Sequence, residues 1–370
     1  LNPNFLETKK EKIEVTKTGE SFSKTQSVDY GFTVSYATKI GQNFRLVTGT
    51  DLYGRASVKA KNVETTFDGA GNVTDIFEEW PYTQGSRKDL GLFVSGDFAG
   101  IKNLDLIGGV RWDLLRMEAL PGDTPPSAKR DYSTLTGFLG SSAKLSENIV
   151  VFGNLSRAYR APGLGELFYT GISGRGYIIA QPGLRPEVSL NLDAGMKFIE
   201  KRFFVALYAF YYDLNDLIER YIVAPRIYTY GNINRGMISG YELEMECYPV
   251  PGWKIFGNIF SFRGKSKETD SSLNDVPSAR LFAGTRVWIG RFSTEINASL
   301  QQEKKNPGPA EIQIPGYEVV NFKASYHFSS HLRFYLVLSN LLDESYLARP
   351  DPESVQEPGR NLVLGLSLSF

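Results

Sequence analysis

The sequence predicts an all-β protein, a transmembrane antiparallel β-barrel with about 16 strands in view. Three observations predict it. Apolar and polar residues alternate with period two along the chain. One strand carries Glu242, Glu244 and Glu246 on a single face, and every second connection between strands is short. Successive side chains of a strand point to opposite faces, so such a pattern gives a sheet with one oily side and one polar side.

The strand-like runs lie near 9–17, 28–38, 43–54, 87–98, 104–117, 131–144, 149–160, 187–199, 203–214, 227–248, 253–264, 278–289, 292–302, 317–328, 331–342 and 358–370. In the run at 187–199, Val188, Leu190, Leu192, Ala194, Met196 and Phe198 oppose Glu187, Ser189, Asn191, Asp193, Gly195 and Lys197. At 227–248, Tyr241, Leu243, Met245 and Cys247 oppose the three glutamates, which would be costly in a dry core and comfortable facing water. At 278–289, Ala279, Leu281, Ala283, Val287 and Ile289 alternate with Arg280, Arg286 and Trp288. At 331–342, Leu332, Phe334, Leu336 and Leu338 oppose His331, Arg333, Tyr335 and Ser339. The last run sets Leu362, Leu364, Leu366, Leu368 and Phe370 against Asn361, Val363, Gly365, Ser367 and Ser369.

Connections 39–42, 99–103, 145–148, 200–202, 249–252, 290–291 and 329–330 are short. Those at 18–27, 55–86, 118–130, 161–186, 215–226, 265–277, 303–316 and 343–357 are long and polar. A soluble sandwich or propeller also has many alternating strands but no reason to alternate connection length; an outer-membrane barrel has short turns on one rim and long loops on the other. The expected compartment is therefore the bacterial outer membrane, with long loops extracellular and the short turns and C-terminus periplasmic. The longest apolar run, Phe203 to Tyr212, is too short for a membrane helix, which needs roughly 20 residues, whereas a tilted strand needs about 9–11.

Composition narrows the chemistry. The 370 residues carry 41 Lys+Arg against 41 Asp+Glu, so there is no basic excess for nucleic acid. One cysteine, Cys247, excludes an internal disulfide and a Cys-based zinc site. His327 and His331 flank a segment, Phe328-Ser329-Ser330, that reads as a tight turn, so no metal site is expected from them. No nucleophile–base–orienter arrangement is visible, and Asp213, Asp216 and Glu219 read as solvated charge. The expected protein is not an enzyme and has no cofactor.

Five segments carry a family resemblance: NLSRAYRAPGLGELFY at 154–169, QPGLRPEVSLNLD at 181–193, YGNINRGMISGYELEME at 230–246, LSNLLDESY at 338–346 and GRNLVLGLSLSF at 359–370. In this order and spacing they resemble the C-terminal barrel of TonB-dependent outer-membrane receptors, and 87–113 looks like that family's earlier paired strands. The resemblance implies a barrel of about 22 strands around a plug. Residues 1–370 would then be the barrel domain, with the plug and first strands upstream of Leu1. It also implies TonB-driven uptake of a ferric chelate, and recognition of the terminal strand ending in Phe370 by the barrel-assembly machinery. Its partners would be the TonB energy-coupling complex, outer-membrane lipid and the large ligand; a passive 16-stranded porin and a surface adhesin are the other classes of barrel considered.

Within that expectation, Arg160, Tyr169, Arg175, Tyr177 and Arg185 in and beside 161–186, with Arg220, Tyr221, Arg226 and Tyr228 in and after 215–226, are the candidate ligand contacts. Guanidinium groups and aromatic faces suit an anionic, partly aromatic iron chelate. Arg160, Ala161 and Pro162 sit in a motif that the family's haem receptors share, yet 161–186 contains no histidine for axial ligation. A ferric siderophore is the expected ligand and a corrinoid the alternative, although Glu268, Asp270 and Asp275 are sparse for a calcium-binding loop. Arg111, Asp113, Glu242, Glu244, Glu246, Arg280 and Arg286 are expected to face the lumen or the plug.

Overall fold

The computed structural model describes residues 4–15, 19–120, 128–173 and 176–369. In chain order these form β1 (Asn4–Val15), β2 (Gly19–Ile40), β3 (Phe44–Phe67), β4 (Val73–Ile101), β5 (Leu104–Leu120), β6 (Ala128–Lys144) and β7 (Ile149–Arg160), then α1 (Leu164–Phe168), β8 (Gly171–Ser173) and β9 (Gly176–Ile179). The chain continues through β10 (Glu187–Glu200), β11 (Phe203–Ala224), β12 (Ile227–Cys247), β13 (Trp253–Ser266), β14 (Arg280–Ile289), β15 (Phe292–Gln301), β16 (Tyr317–His327), β17 (Leu332–Ser339) and β18 (Asn361–Leu368). Among the described residues α1 is the only helix. Apart from the short β8 and β9, every strand matches a run read from the sequence. Phe370 lies outside the described residues.

The chain divides into two units. The first comprises Leu1–Gly140, Leu155–Leu190 and Leu214–Arg235, the second Ser141–Asn154, Asn191–Asp213 and Gly236–Phe370. In the first, β1 to β5 pair antiparallel in sequence order. Phe32, Leu52, Leu90 and Leu114 stand directly opposite one another on β2, β3, β4 and β5. All four are exposed, at 40%, 39%, 41% and 38%. A run of uncovered apolar side chains suits a hydrocarbon solvent. On the opposite face Asp51, Gly91 and Asp113 are aligned across β3, β4 and β5.

Several expected loops are strands instead. β2 begins at Gly19, inside the connection expected at 18–27, and β3 and β4 fill most of 55–86, closing at the Phe67–Val73 pair. The register of β3 on β4 shifts repeatedly between Arg55 and Asn62, and such bulges interrupt the period-two signature. Likewise β11 and β12 occupy most of 215–226 and turn at Pro225-Arg226, where Arg226 adopts φ 60. β4 runs for 29 residues, well beyond the roughly 9–11 a membrane crossing requires.

In the second unit β12 to β18 pair antiparallel in sequence order. Leu362, Leu364, Leu366 and Leu368 are exposed, and Leu364 at 70% stands opposite Leu336. The other face carries a row of charge in which Lys254, Arg286, Glu295 and Lys323 oppose one another on β13, β14, β15 and β16. Arg286 donates to Glu295, and Glu295 is almost fully buried. The turn read from Phe328-Ser329-Ser330 is present: Phe328 N donates to Leu332 O at 3.0 Å, and His327 stands opposite Arg333.

Candidate functional site

The described residues of 161–186 belong to the first unit and are folded. Pro162 and Gly163 lead into α1, and the Glu166 carboxylate accepts from Gly163 N at 2.6 Å, which closes the first turn. Leu164 and Leu167 turn inward and join Val58, Ala60, Tyr82, Leu115 and Met117 in one buried apolar cluster. An aromatic fringe of Tyr132, Tyr159, Phe168, Tyr169 and Tyr230 packs against it. This burial, not helix propensity, holds a five-residue helix, because isolated helices of that length are unstable in water.

The predicted site residues fall into distinct environments. Arg160 is a clamp: its Nε and Nη2 donate to Glu187 at 2.7 and 2.6 Å, and its Nη1 donates to Glu166 at 3.1 Å. Glu187 in turn accepts from Ile218 N at 2.8 Å, so one cluster ties the end of β7, α1, the start of β10 and the middle of β11. Arg185 donates to Asp216 at 2.9 Å through Nε and at 2.5 Å through Nη2, and to Asn234 at 2.7 Å. Its backbone exchanges two hydrogen bonds with the Asn232 side chain, both 2.9 Å.

Tyr169 points into the unit. Its hydroxyl donates to Asn62 Oδ1 at 3.1 Å and also reaches Ile172 O, and burial raises its pKa above the usual phenol value. Tyr228 is buried, with the Arg220 guanidinium 4.9 Å above its ring. Tyr221 is half-buried and its ring lies beside Gly231. Tyr177 is different. It is 37% exposed on β9, and its backbone N donates at 2.8 Å to O of Arg226, itself exposed at the β11–β12 turn. Burial also raises the Tyr177 pKa. Arg175 lies outside the described residues.

The structure therefore brings Tyr177 and Arg226 together, places Arg220 on Tyr228, and fastens Arg160 and Arg185 to carboxylates. Sequence reasoning missed Asn62, which is 1% exposed. It accepts from Ser23 Oγ at 2.7 Å as well as from Tyr169, and its Nδ2 donates to Glu79 Oε1 at 2.7 Å. The only signal was a polar residue set between Lys61 and Val63 in a run read as loop.

Of the residues expected to line a lumen, Arg111, Asp113, Glu246, Arg280 and Arg286 have side-chain partners. Arg111 donates to Asp51 at 2.6 and 2.8 Å and to Asp113 at 2.8 and 2.9 Å. In the second unit Glu242 and Glu244 stand opposite Phe260 and Asn258, and Glu246 pairs with Lys254 at 2.6 Å. Arg280 donates to Ser299 at 3.0 Å, and Arg286 binds Glu295. Of the carboxylates read as solvated charge, Asp213 accepts from Lys267 at 2.7 Å and Asp216 from Arg185, whereas Glu219 is buried, contrary to that reading. No group of three or more His, Cys, Asp or Glu able to hold a metal ion occurs among the described residues.

Comparison with known proteins places this architecture. The chain is 23% identical over 278 residues to Heme/hemopexin utilization protein C of Haemophilus influenzae, covering 64% of this chain and 37% of that protein. It is 22% identical over 359 residues to the Ferric enterobactin receptor of Pseudomonas aeruginosa, covering 84% of this chain and 46% of that one. The chain thus spans less than half the length of these relatives. Its fold matches the solved structure of the copper transporter OprC with a TM-score of 0.82 at 18% identity, over 95% of this chain and 57% of that one. The family model described as "TonB dependent receptor-like, beta-barrel" matches residues 4–341, and the chain belongs to that family of outer-membrane β-barrels.

Proposed function

We propose that this chain is the barrel domain of a TonB-dependent active transporter that captures a ferric siderophore at the outer surface of the bacterial outer membrane. Long connections face the exterior and short turns the periplasm. A plug contributed by sequence upstream of Leu1 fills the lumen and is remodelled by TonB, which draws on the proton gradient of the inner membrane. No bond in the ligand is made or broken, so the side chains need only to bind, release and line a path.

The observation that carries this reading is the Tyr177–Arg226 pairing in a chain of this family. Tyr177 and Arg226 are joined through their backbones and both are exposed, so one supplies an aromatic ring and the other a guanidinium at the same edge, and an anionic catecholate complex offers the matching charge and π-surface. Arg220 and Tyr221 extend the surface, while Arg160, Tyr169, Arg185 and Tyr228 act as its scaffold. A relative named for heme/hemopexin utilization favours haem as a second reading. Against it, both histidines of this sequence lie at the β16–β17 turn and 161–186 contains none.

Equilibrium titration of the full-length protein in detergent with an iron(III) tris-catecholate, with haemin and with cobalamin decides among the ligands. Tight saturable binding of the catecholate alone, with uptake abolished in cells lacking TonB, is the expected result. Uptake that persists without TonB would favour the porin reading.

A further inference from the structure

Ser23, Asn62 and Glu79 stand directly opposite one another on β2, β3 and β4. Asn62 joins them into one row, and all three of its described hydrogen bonds come from side chains: Ser23 Oγ and Tyr169 Oη donate to its Oδ1, and its Nδ2 donates to Glu79. A buried amide with no water to fall back on is costly to leave unpaired, so this row prescribes where Tyr169 sits.

The β8–β9 hairpin passes over the same row. A Cβ added at Gly171 would stand 2.5 Å from Asn62 Nδ2 and 2.5 Å from Glu79 Oε1, so backbone lies directly on the amide. Ser23 Oγ is also 3.3 Å from Ile172 O. From Gly171 the chain returns as β9, which pairs antiparallel with β8 and parallel with β12 at Ile227–Thr229. Tyr177 and Arg226 are the last members of this series. On the other side of Gly176, a Cβ would collide with the Arg226 carbonyl, which leaves the ledge no slack.

We propose that Asn62 is a positioning residue for ligand recognition: it fixes Tyr169, Gly171 and Ile172, and through the hairpin it sets Tyr177 against Arg226. Asn62 itself is buried and touches no ligand. The inference rests on the siderophore reading for the purpose of the contact, whereas the mechanical link from Asn62 to Tyr177 is independent of it.

The test is a double-mutant cycle in the full-length protein with two readouts. Asn62→Leu keeps the branched shape and removes all three hydrogen bonds, and Tyr169→Phe, which removes one hydroxyl, serves if Asn62→Leu does not fold. Faster amide exchange across 171–179 is expected for either, with the exchange of β16 to β18 unchanged. For an iron(III) tris-catecholate probe, Asn62→Leu and Tyr177→Ala are each expected to weaken binding about tenfold, and the double variant by no more than either alone, because residues acting through one contact are non-additive. Losses that multiply to about a hundredfold, or unaltered exchange at 171–179, overturn the proposal. Failure of the wild-type protein to bind the probe overturns the siderophore reading, and the exchange measurement still judges the role of Asn62.

Discussion

The Arg111 guanidinium occupies the space that a side chain at Gly91 would need: a Cβ built at Gly91 would overlap its Nη2. Gly91 lies between Asp51 and Asp113 in the cross-strand row, so the missing side chain lets one arginine reach both carboxylates over the backbone of β4. Gly91→Val is expected to displace Arg111 and cost about 1–3 kcal/mol from crowding. The lost ion pairs add little, because all three side chains keep some exposure. Chemical denaturation in detergent measures the cost, and in an Arg111→Ala background most of it is expected to vanish. An undiminished cost there would show that Gly91 serves the backbone and not the arginine.

The uncovered leucines of β18 give a prediction about solvent. Leu364→Arg is expected to destabilise the protein by about 2–4 kcal/mol if that side chain meets hydrocarbon near the bilayer midplane. Ser367→Arg, on the opposite face, is expected to be tolerated. Refolding titrations into lipid vesicles supply the comparison. The reverse ranking would place the lipid on the polar face and invert every facing assignment.

What could be read from sequence followed from how regular each strand is. Leu362 to Leu368 alternate without interruption, and β17 and β18 emerged with their faces assigned. By contrast Val58, Ala60 and Asn62 share a buried face, but the register shifts beside them broke the alternation, so a long strand pair passed for a loop. The fold of the described residues of 161–186 was equally hidden. Its glycines suggest flexibility, whereas Gly171 and Gly176 are needed because other chain atoms crowd them. Arg160 and Arg185 were singled out for their type; that Glu187 and Asp216 would hold them depended on pairings no local pattern records.

Arg160 is expected to govern the order of α1. Replacing it by alanine removes the bonds to Glu166 and Glu187 and leaves Glu187 with only its backbone donor at Ile218. The Arg160 side chain is about half exposed, and with solvent screening the loss in global stability is expected near 1 kcal/mol. Amide exchange of 164–168 is expected to rise well beyond that of β13 to β16. Uniform change across the chain would deny Arg160 a local role.

The tip of the β3–β4 hairpin is expected to loosen in acid. Asp68 Oδ1 accepts from Ala70 N at 2.9 Å and Asn72 N at 2.8 Å, and Oδ2 accepts from Asn72 Nδ2 at 3.0 Å. These bonds, the Asn72 side chain first and its backbone next, hold the Asp68 pKa below the usual carboxylate value. A carboxylate with a depressed folded-state pKa supports its turn at any pH above the unfolded value, near 3.9, and loses that support as pH falls through the lower folded value. Amide NMR shifts of Ala70 and Asn72 are therefore expected to stay constant from neutrality to about pH 4 and to move together below it. In Asp68→Asn they are expected to stay flat throughout. A transition at or above the ordinary carboxylate pKa would show that the turn does not stabilise the ionised form.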